Sequence, residues 1–262
     1  MRQITKSTLL ILFVFLLNTS LFAQENASDI KGFLEELQKN QQEMRQEMQE
    51  IKSLLSRLSL QNAPKAPTVP QPIDIKDIEF EIGENPVLGS DNAKIIMVEF
   101  TDYECTFCSR YVRETFPEII KEYVDKGIIR YAVVDQPLPM HQKAEKAALA
   151  AHCAAEQGEF WEIHKLMMSR QDSLDDLSAY ARSLKLNIPE FEDCLASEKY
   201  KERVRSNMTL ARSLEITGVP GFIIGIVDSQ NPGKVKGISS LRGAVPFSSF
   251  QKEIESAIAA NR

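Results

Sequence analysis

The sequence contains few of the residues that build metal centres, with only four cysteines and three histidines among 262 residues. A structural zinc site needs four ligands, which usually come from two closely spaced pairs of cysteine or histidine. Cys105 and Cys108 form one such pair, but the sequence has no second pair, and its histidines are scattered. The sequence therefore predicts no metal site, and it contains no motif for a cofactor.

The sequence has no excess of positive charge, because acidic residues outnumber basic ones and the formal net charge is −6. Binding to nucleic acid needs a basic face that neutralises phosphates, so this composition argues against a nucleic-acid partner. With 26% charged residues, the chain is also too polar for a protein that lies mostly within a membrane. The length is sufficient for one sizeable core with additional segments.

The apolar run near the start is short, and it extends only over Leu9–Leu17. A bilayer crossing needs about 20 apolar residues. Arg2 and Lys6 precede the run, and small and polar residues follow it as far as Ala23, which is the pattern of a cleaved export signal. We predict a signal peptide over residues 1–23, cleaved near Ala23, and a periplasmic or otherwise exported protein, with an uncleaved membrane anchor as the alternative.

Residues 27–61 carry the repeat of a coiled coil. Seam residues recur in alternating steps of four and three, and all but one are apolar: Ile30, Leu34, Leu37, Gln41, Met44, Met48, Ile51, Leu55 and Leu58. About four such heptads predict an assembly of helices, and this mixture of Leu, Met and Ile favours more than two strands. We expect a parallel trimer, with a dimer, a tetramer or a surface helix packed on the rest of the chain as alternatives.

A proline-rich stretch over residues 62–72 predicts an extended, semi-rigid linker. The remaining residues, 73–262, alternate strand, helix and strand, continue through a helical region at about 139–216, and end with two strands and a helix. The separate helices predicted within that region are an alanine-rich one at 144–155 and others at 160–168, 174–184 and 200–214. This order predicts an α/β fold with an inserted helical domain, preceded by the N-terminal coiled-coil helix. Pro117 lies inside the first helix of this part and should bend it.

Cys105 and Cys108 lie between the strand predicted at Ile95–Phe100 and the start of the following helix. The unsatisfied amides and the dipole at a helix start favour thiolate over thiol, so Cys105 is the predicted nucleophile. The spacing lets Cys108 reach Cys105 and resolve a mixed disulfide. A zinc site and a purely structural disulfide are the alternatives.

Four segments of the sequence resemble the DsbA-like family of thioredoxin-fold thiol–disulfide oxidoreductases. They are Glu99–Cys108, with the sequence EFTDYECTFC, Pro137–His141, Gln157–Trp161 and Gly218–Phe222. The resemblance extends in order over roughly residues 80–260 and implies a thioredoxin fold. Together with the coiled coil, it is similar to the trimeric suppressor-of-copper-sensitivity proteins of C type, a disulfide-isomerase branch of that family.

The resemblance also implies roles for individual residues. The Val219–Pro220 bond should be cis and lie against the cysteine pair, where the backbone before Pro220 pairs with the substrate. Glu99 falls where the family places a buried acid that accepts or relays the proton of Cys108. Arg130, on the next predicted strand, is a candidate charge partner for Glu99.

The other two cysteines, Cys153 and Cys194, lie in the predicted helical insertion. Some relatives join cysteines at such positions in a second, structural disulfide. An even cysteine count and export favour the same bridge. Two buried free thiols are the alternative.

The sequence therefore predicts an exported enzyme that exchanges or isomerises disulfides in unfolded or misoxidised exported proteins. A membrane redox partner is expected to reset its cysteine pair. Thr106 and Phe107 stand where the best-known oxidases of the family carry Pro-His, which puts strong oxidising power in doubt. A net dithiol oxidase and a redox-inactive holdase chaperone or adaptor are the alternative functions.

Overall fold

The computed structural model describes residues 36–53 and 73–261. The predicted signal peptide, the predicted linker at 62–72 and both ends of the predicted coiled coil lie outside these residues. The chain divides into two units, Met1–Val69 and Pro70–Arg262. In the two described stretches, no helix combines the length and the apolar character that a membrane crossing requires.

In the N-terminal unit, residues 36–53 form helix α1. The apolar seam residues of this helix lie at the surface, where Leu37 is 47% exposed, Met44 61%, Met48 63% and Ile51 56%. Their spacing places them along one side of the helix. The helix lies where it was predicted, and its assembly into a coiled coil stays a prediction.

The C-terminal unit contains a six-stranded sheet with the order β1-β6-β5-β3-β4-β2. Strands β3 and β4 run parallel, and all other neighbours are antiparallel. The four longer strands were predicted, whereas the short edge strands β1 and β2 were not. The strands are β1 Glu79–Glu81, β2 Val87–Leu88, β3 Ile95–Thr101, β4 Ile129–Asp135, β5 Gly221–Val227 and β6 Lys234–Arg242.

The central strand β3 is buried along its whole length. Side chains alternate along it, so Ile95 and Met97 belong to one core, whereas Ile96, Val98 and Phe100 belong to the core on the other face. A strand covered on both faces needs a nearly continuous apolar sequence, which is what this segment has. Glu99 is the only charged residue in it.

Helices cover both faces of the sheet. The helical insertion, the first helices after β3 and the last helix contribute to one core, and the helix before β5 contributes to the other. The helices are α2 Thr106–Glu114, α3 Phe116–Ile119, α4 Ala144–Ala155, α5 Phe160–Ser169, α6 Leu177–Ser183, α7 Ile188–Ala196, α8 Lys201–Ser213 and α9 Phe247–Ala260.

The helix that follows β3 is interrupted at Thr115, between α2 and α3. Pro117 lies in the first turn of α3, where its missing amide removes no hydrogen bond from the helix. The helix predicted as continuous is therefore interrupted two residues before the proline, and the predicted bend stays a prediction. Helix α7 was not predicted, because it is short and buries only Phe191, which leaves no apolar period to detect.

A disulfide joins Cys153 of α4 to Cys194 of α7, with an Sγ–Sγ distance of 2.08 Å. The two Cα atoms are 5.8 Å apart, within the usual range for such a bond. This is the pairing that the resemblance implies. The bond joins α7, which was not predicted, to α4, the best-buried helix of the insertion.

Replacing both Cys153 and Cys194 with alanine should lower the free energy of unfolding. The bond spans a sequence separation of 41 residues, and a loop of this size contributes about 4 kcal/mol in the chain-entropy model, less any strain. Urea unfolding measures the change. The double variant Cys105→Ala/Cys108→Ala is the matched control, since it removes two cysteines and keeps the loop closed. Recovery of Cys153 and Cys194 as free thiols from the protein in its native compartment would contradict the bridge.

Candidate active site

Cys105 is the N-cap residue of α2, and Cys108 lies in the first turn of that helix. Both sulfurs are free thiols in this structure, and both residues are buried, Cys108 completely. No side chain caps the start of α2. The amides of its first turn are therefore left to interact with the Cys105 sulfur.

The two sulfurs differ strongly in acidity. A hydrogen bond from the Cys108 thiol and the backbone amides of Cys108 and Phe107 lower the pKa of Cys105 to about 6, against the opposing effects of burial and of the Asp102 charge. Burial, followed by the interaction with Cys105 and the charge of Glu99, raises the pKa of Cys108 well above its usual value. Near neutral pH the pair therefore holds one thiolate, at Cys105, and one thiol, at Cys108.

The bond between Val219 and Pro220 is cis, as the resemblance implies. It lies beside the cysteine pair, since the Cys105 sulfur is 3.6 Å from the carbonyl oxygen of Val219, within hydrogen-bond distance for the thiol form. Pro220 immediately precedes strand β5. Cys105 follows the end of β3 and Pro220 precedes β5, and these two strands are neighbours in the sheet.

Glu99 is fully buried on β3, on the sheet face that carries Met97 and Tyr131. The Tyr131 hydroxyl donates a hydrogen bond of 2.5 Å to Oε2 and lies 3.0 Å from the Tyr111 hydroxyl, whereas Oε1 has no hydrogen-bond partner in the described structure. Burial raises the pKa of Glu99 to about 7, and the hydrogen bond from Tyr131 opposes this rise only in part. This carboxyl group therefore gains or loses a proton near neutral pH.

The predicted charge partner of Glu99 was wrong. The guanidinium of Arg130 donates to the backbone carbonyls of Ala93, at 3.0 Å, and Asp91. Strand alternation explains the difference, since Arg130 pairs with Ile96, three residues before Glu99, and neighbouring residues of a strand point to opposite faces. A tyrosine hydroxyl takes the place predicted for the arginine.

Acidic side chains fix the loop that connects β3 to Cys105. Asp102 accepts hydrogen bonds from the amides of Glu104 and Leu138, both at 2.7 Å, and from Nδ1 of His141 at 2.8 Å. Glu104 accepts one of 2.9 Å from the amide of Ala144, at the start of α4. Neither acid had a predicted role. The one sequence signal for them is that both lie in Glu99–Cys108, a segment that resembles the DsbA-like family.

Phe107, between the two cysteines, is 55% exposed. The guanidinium of Arg110 lies 5.1 Å from the centre of its ring and donates a 3.0 Å hydrogen bond to the carbonyl of Ala244. One face of the ring is therefore covered by a fixed side chain, and the rest of the ring remains accessible. Among the described residues, no three cysteine, histidine or acidic side chains are grouped as metal ligands would be.

Replacing Glu99 with glutamine should stabilise the protein in a pH-dependent way. Because the pKa of Glu99 is raised from 4.5 to about 7, the folded state resists its ionisation, so the cost appears as the pH rises through this window and is complete above it. We expect a gain in unfolding free energy of roughly 3 kcal/mol above about pH 7 and none below about pH 4.5. Urea unfolding at both pH values measures it.

The variant Glu118→Gln, at an exposed position of α3, is the control for the loss of one negative charge. An equal effect of Glu99→Gln at both pH values would contradict this assignment of the titration.

Comparisons with known proteins agree with this geometry. A family model described as thioredoxin matches residues 81–241. A putative protein-disulfide oxidoreductase of Rickettsia typhi is 28% identical over 163 residues, which are 59% of this chain and 60% of that protein. Disulfide bond formation protein D of Bacillus subtilis is 29% identical over 150 residues, which are 53% of this chain and 67% of that protein.

A longer relative matches only in part. The Na⁺/H⁺ antiporter NhaA 3 of Salinispora tropica is 32% identical over 157 residues, but these are only 24% of that protein. The chain thus spans about a quarter of the antiporter and 60% of the Rickettsia protein. The transport activity in the antiporter's name belongs to a protein of which most has no counterpart in this match.

Solved structures show the same fold. A single-residue variant of alpha-DsbA1 from Wolbachia pipientis is 26% identical, with a TM-score of 0.59, and the match covers 68% of this chain and 92% of that one. Oxidised BdbD from Bacillus subtilis, at 23% identity and a TM-score of 0.58, supports the fold alone; it covers 70% of this chain and 99% of that one. The expected thioredoxin fold with a helical insertion is thereby confirmed, and the chain belongs to the thioredoxin family, as one of its DsbA-like members.

Proposed function

We propose that this chain is a thiol–disulfide oxidoreductase that exchanges disulfides in exported proteins through Cys105 and Cys108. The observation that carries the proposal is geometric: Cys105 lies at the N-cap of α2 with its sulfur 3.6 Å from the carbonyl oxygen of Val219, whereas Cys108 is fully buried in the first turn of the helix. This placement lowers the pKa of Cys105 to about 6 and raises that of Cys108 well above its usual value. Thiol–disulfide exchange needs one thiolate that attacks and a second thiol that stays protonated until it is used. A purely structural cysteine pair has no need for this difference.

In the proposed reaction, the Cys105 thiolate attacks one sulfur of a client disulfide. A bond between Cys105 and the client forms as the client's own S–S bond breaks, and the released client sulfur leaves as a thiolate. Cys108 then attacks the Cys105 sulfur, which closes the Cys105–Cys108 disulfide and releases the second client sulfur. The client gains two electrons and the enzyme loses two. The reverse sequence oxidises a client dithiol.

Glu99 supports the second step. Cys108 must lose its proton before it can attack, and it lies in a buried environment from which water cannot easily take that proton. The neighbouring carboxyl, whose pKa is about 7, is suited to accept a proton from a thiol and return it later. The effect of Glu99 on Cys108 supports this role, since the Glu99 charge raises the pKa of Cys108.

Val219 is the proposed contact for the client backbone. Its carbonyl lies 3.6 Å from the Cys105 sulfur, so a client cysteine joined to Cys105 would lie alongside this residue. An extended client segment can pair with the backbone at Val219 as an added strand. Pro220 has no amide hydrogen and does not compete for this pairing.

We propose further that several copies act together as a disulfide isomerase. In that reaction a client thiolate attacks the mixed disulfide in place of Cys108, so Cys105 is released and the client keeps its number of disulfides. The apolar stripe of α1, formed by Leu37, Met44, Met48 and Ile51, supports a coiled-coil trimer over residues 27–61. Linked copies raise the effective concentration of thiolate around one client.

Net dithiol oxidation is the second candidate, and Val219 before the proline fits it at least as well. The pair Thr106–Phe107 argues the other way, since neither side chain can favour a thiolate as a charged histidine does. Under both candidates the chain is exported after cleavage near Ala23, it acts on unfolded or misoxidised proteins, and a membrane partner restores its redox state.

The variant Cys108→Ala should trap clients as mixed disulfides through Cys105, because the resolving thiol is absent. Cys105→Ser, the control variant, should trap none. Non-reducing electrophoresis followed by peptide mapping identifies the linked residues. Limiting alkylation of the reduced wild type should label Cys105 first, and faster labelling of Cys108 would mean that the two roles are assigned in the wrong order.

Deleting Gln24 to Leu60 should give a monomer that still reduces insulin but no longer reactivates scrambled ribonuclease. Met48→Lys, on the seam of α1, should weaken the assembly, whereas the neighbouring control Gln49→Lys should leave a trimer by light scattering, since a charge on the seam is buried only in the assembly. Full isomerase activity in the monomer would exclude the trimeric isomerase and favour the oxidase.

A further inference from the structure

The side chain of Gln171 contacts the backbone on both sides of the active-site loop residue Glu104. Its amide nitrogen donates hydrogen bonds to the carbonyl of Tyr103, at 2.7 Å, and to the carbonyl of Cys105, at 3.0 Å. Gln171 opens the short 3₁₀ turn Gln171–Ser173, which connects α5 to α6 inside the helical insertion. One amide group of the insertion thus holds the residue that carries the proposed nucleophile.

The same part of the insertion also fixes the side chain of Tyr103. The Tyr103 hydroxyl is 3.0 Å from Nδ1 of His164, on α5, and both residues are buried. The turn itself is anchored, because the Tyr180 hydroxyl donates to the carbonyl of Arg170. Gln171 therefore extends from a fixed turn to a fixed loop, and its amide is oriented before any client binds.

The position of the Cys105 backbone determines how its sulfur meets the start of α2. The carbonyl of Cys105 accepts the amide of Ser109, at 3.0 Å, and the Gln171 amide, so these two donors set the peptide plane that follows the sulfur. The groups that favour the thiolate, Cys108 and the amides of Phe107 and Cys108, belong to α2. A rotation of this plane would move the sulfur away from them.

We propose that Gln171 is a positioning residue of the redox centre, through which the helical insertion holds Cys105 against the start of α2. This inference deepens the proposed function and rests on it for its biological meaning. The titratable groups that act on the Cys105 sulfur are Cys108 on α2, Glu99 on β3 and Asp102 in the preceding loop, and the charge of Asp102 opposes the thiolate. Gln171 acts without charge, through geometry and through the dipole of its amide.

Gln171→Leu is the test variant, because it removes the amide and keeps most of the side-chain volume. The measurement is the pH dependence of iodoacetamide alkylation of Cys105 in the full-length reduced protein, with the ultraviolet absorbance of the thiolate as a second readout. We expect the acid limb of the profile to move measurably to higher pH, by up to about one unit, because the strength of an ordinary hydrogen bond is the upper limit for a group that acts on the sulfur through the backbone. The alkaline plateau should not change.

Gln157→Leu is the matched control. This glutamine also lies in the insertion, and its amide also binds backbone groups, the carbonyl and amide of Asn187 at 3.2 and 2.7 Å. A role in stability alone would lower the melting temperature of both variants and move neither profile. Gln171→Glu keeps the length, removes the donor and adds a negative charge, so its profile should move at least as far, and it carries the test if Gln171→Leu does not fold.

An acid limb that coincides with that of the wild type in both Gln171 variants would overturn the proposal. Alkylation requires no client, so this result is separate from a failure of the proposed function. If the limb moves and the wild type fails to exchange disulfides with insulin, the positioning role stands and the proposed function falls.

Discussion

The chemistry proposed for this chain depends on one electrostatic constraint, which is the placement of the Cys105 sulfur at the start of α2. A sulfur at a helix start is stabilised as a thiolate only while it stays close to the free amides, whose effect falls off within one turn. The structure holds it there from several sides. Asp102 and Glu104 tie the preceding loop to the segment before α4, and Gln171 binds the backbone of Cys105 itself.

A second feature of the site is the buried acid Glu99, whose ionisation costs folding free energy. An ionised carboxylate without a cationic partner is unfavourable in a protein interior, and among the described residues the hydroxyl of Tyr131 is the one group that donates a hydrogen bond to Glu99. Its place on the central strand β3 puts it on the sheet face against which α2 packs. A residue that weakens the fold at neutral pH is expected where the fold serves a proton transfer.

Local sequence signals were enough for the parts of the fold with strong periodicity. The alanine-rich stretch gave helix α4 with both ends correct, and the apolar run of β3 identified the buried central strand, because each of these patterns lies within one continuous segment. Helix α7 and the edge strands escaped prediction because they are short and bury few side chains. The hydrogen bonds of Gln171 join residues 66 and 68 positions apart, and no local pattern encodes such a contact.

The error over Arg130 has a related cause. A sequence shows that a charged residue lies on the next strand, but which residue faces Glu99 depends on the register of the two strands. A shift by one residue exchanges the two faces, so Tyr131 faces the buried acid and Arg130 does not. Strand register was not needed to predict the chemistry of the cysteine pair, because that chemistry follows from two residues in one helical turn.

The short edges of the sheet have a consequence for the proposed action on unfolded chains. Edge strands offer unpaired backbone groups on which other extended chains can stack, and this is a route to aggregation. Here the edges consist of β1, with three residues, and β2, with two. Ion pairs from Lys234 to Glu79, at 2.7 Å, and from Lys236 to Asp77, at 2.8 Å, join β6 to β1 and to the residues before it. In the proposed function, a client strand would therefore find only a short edge to pair with, which favours its release from the sheet rather than co-assembly with it.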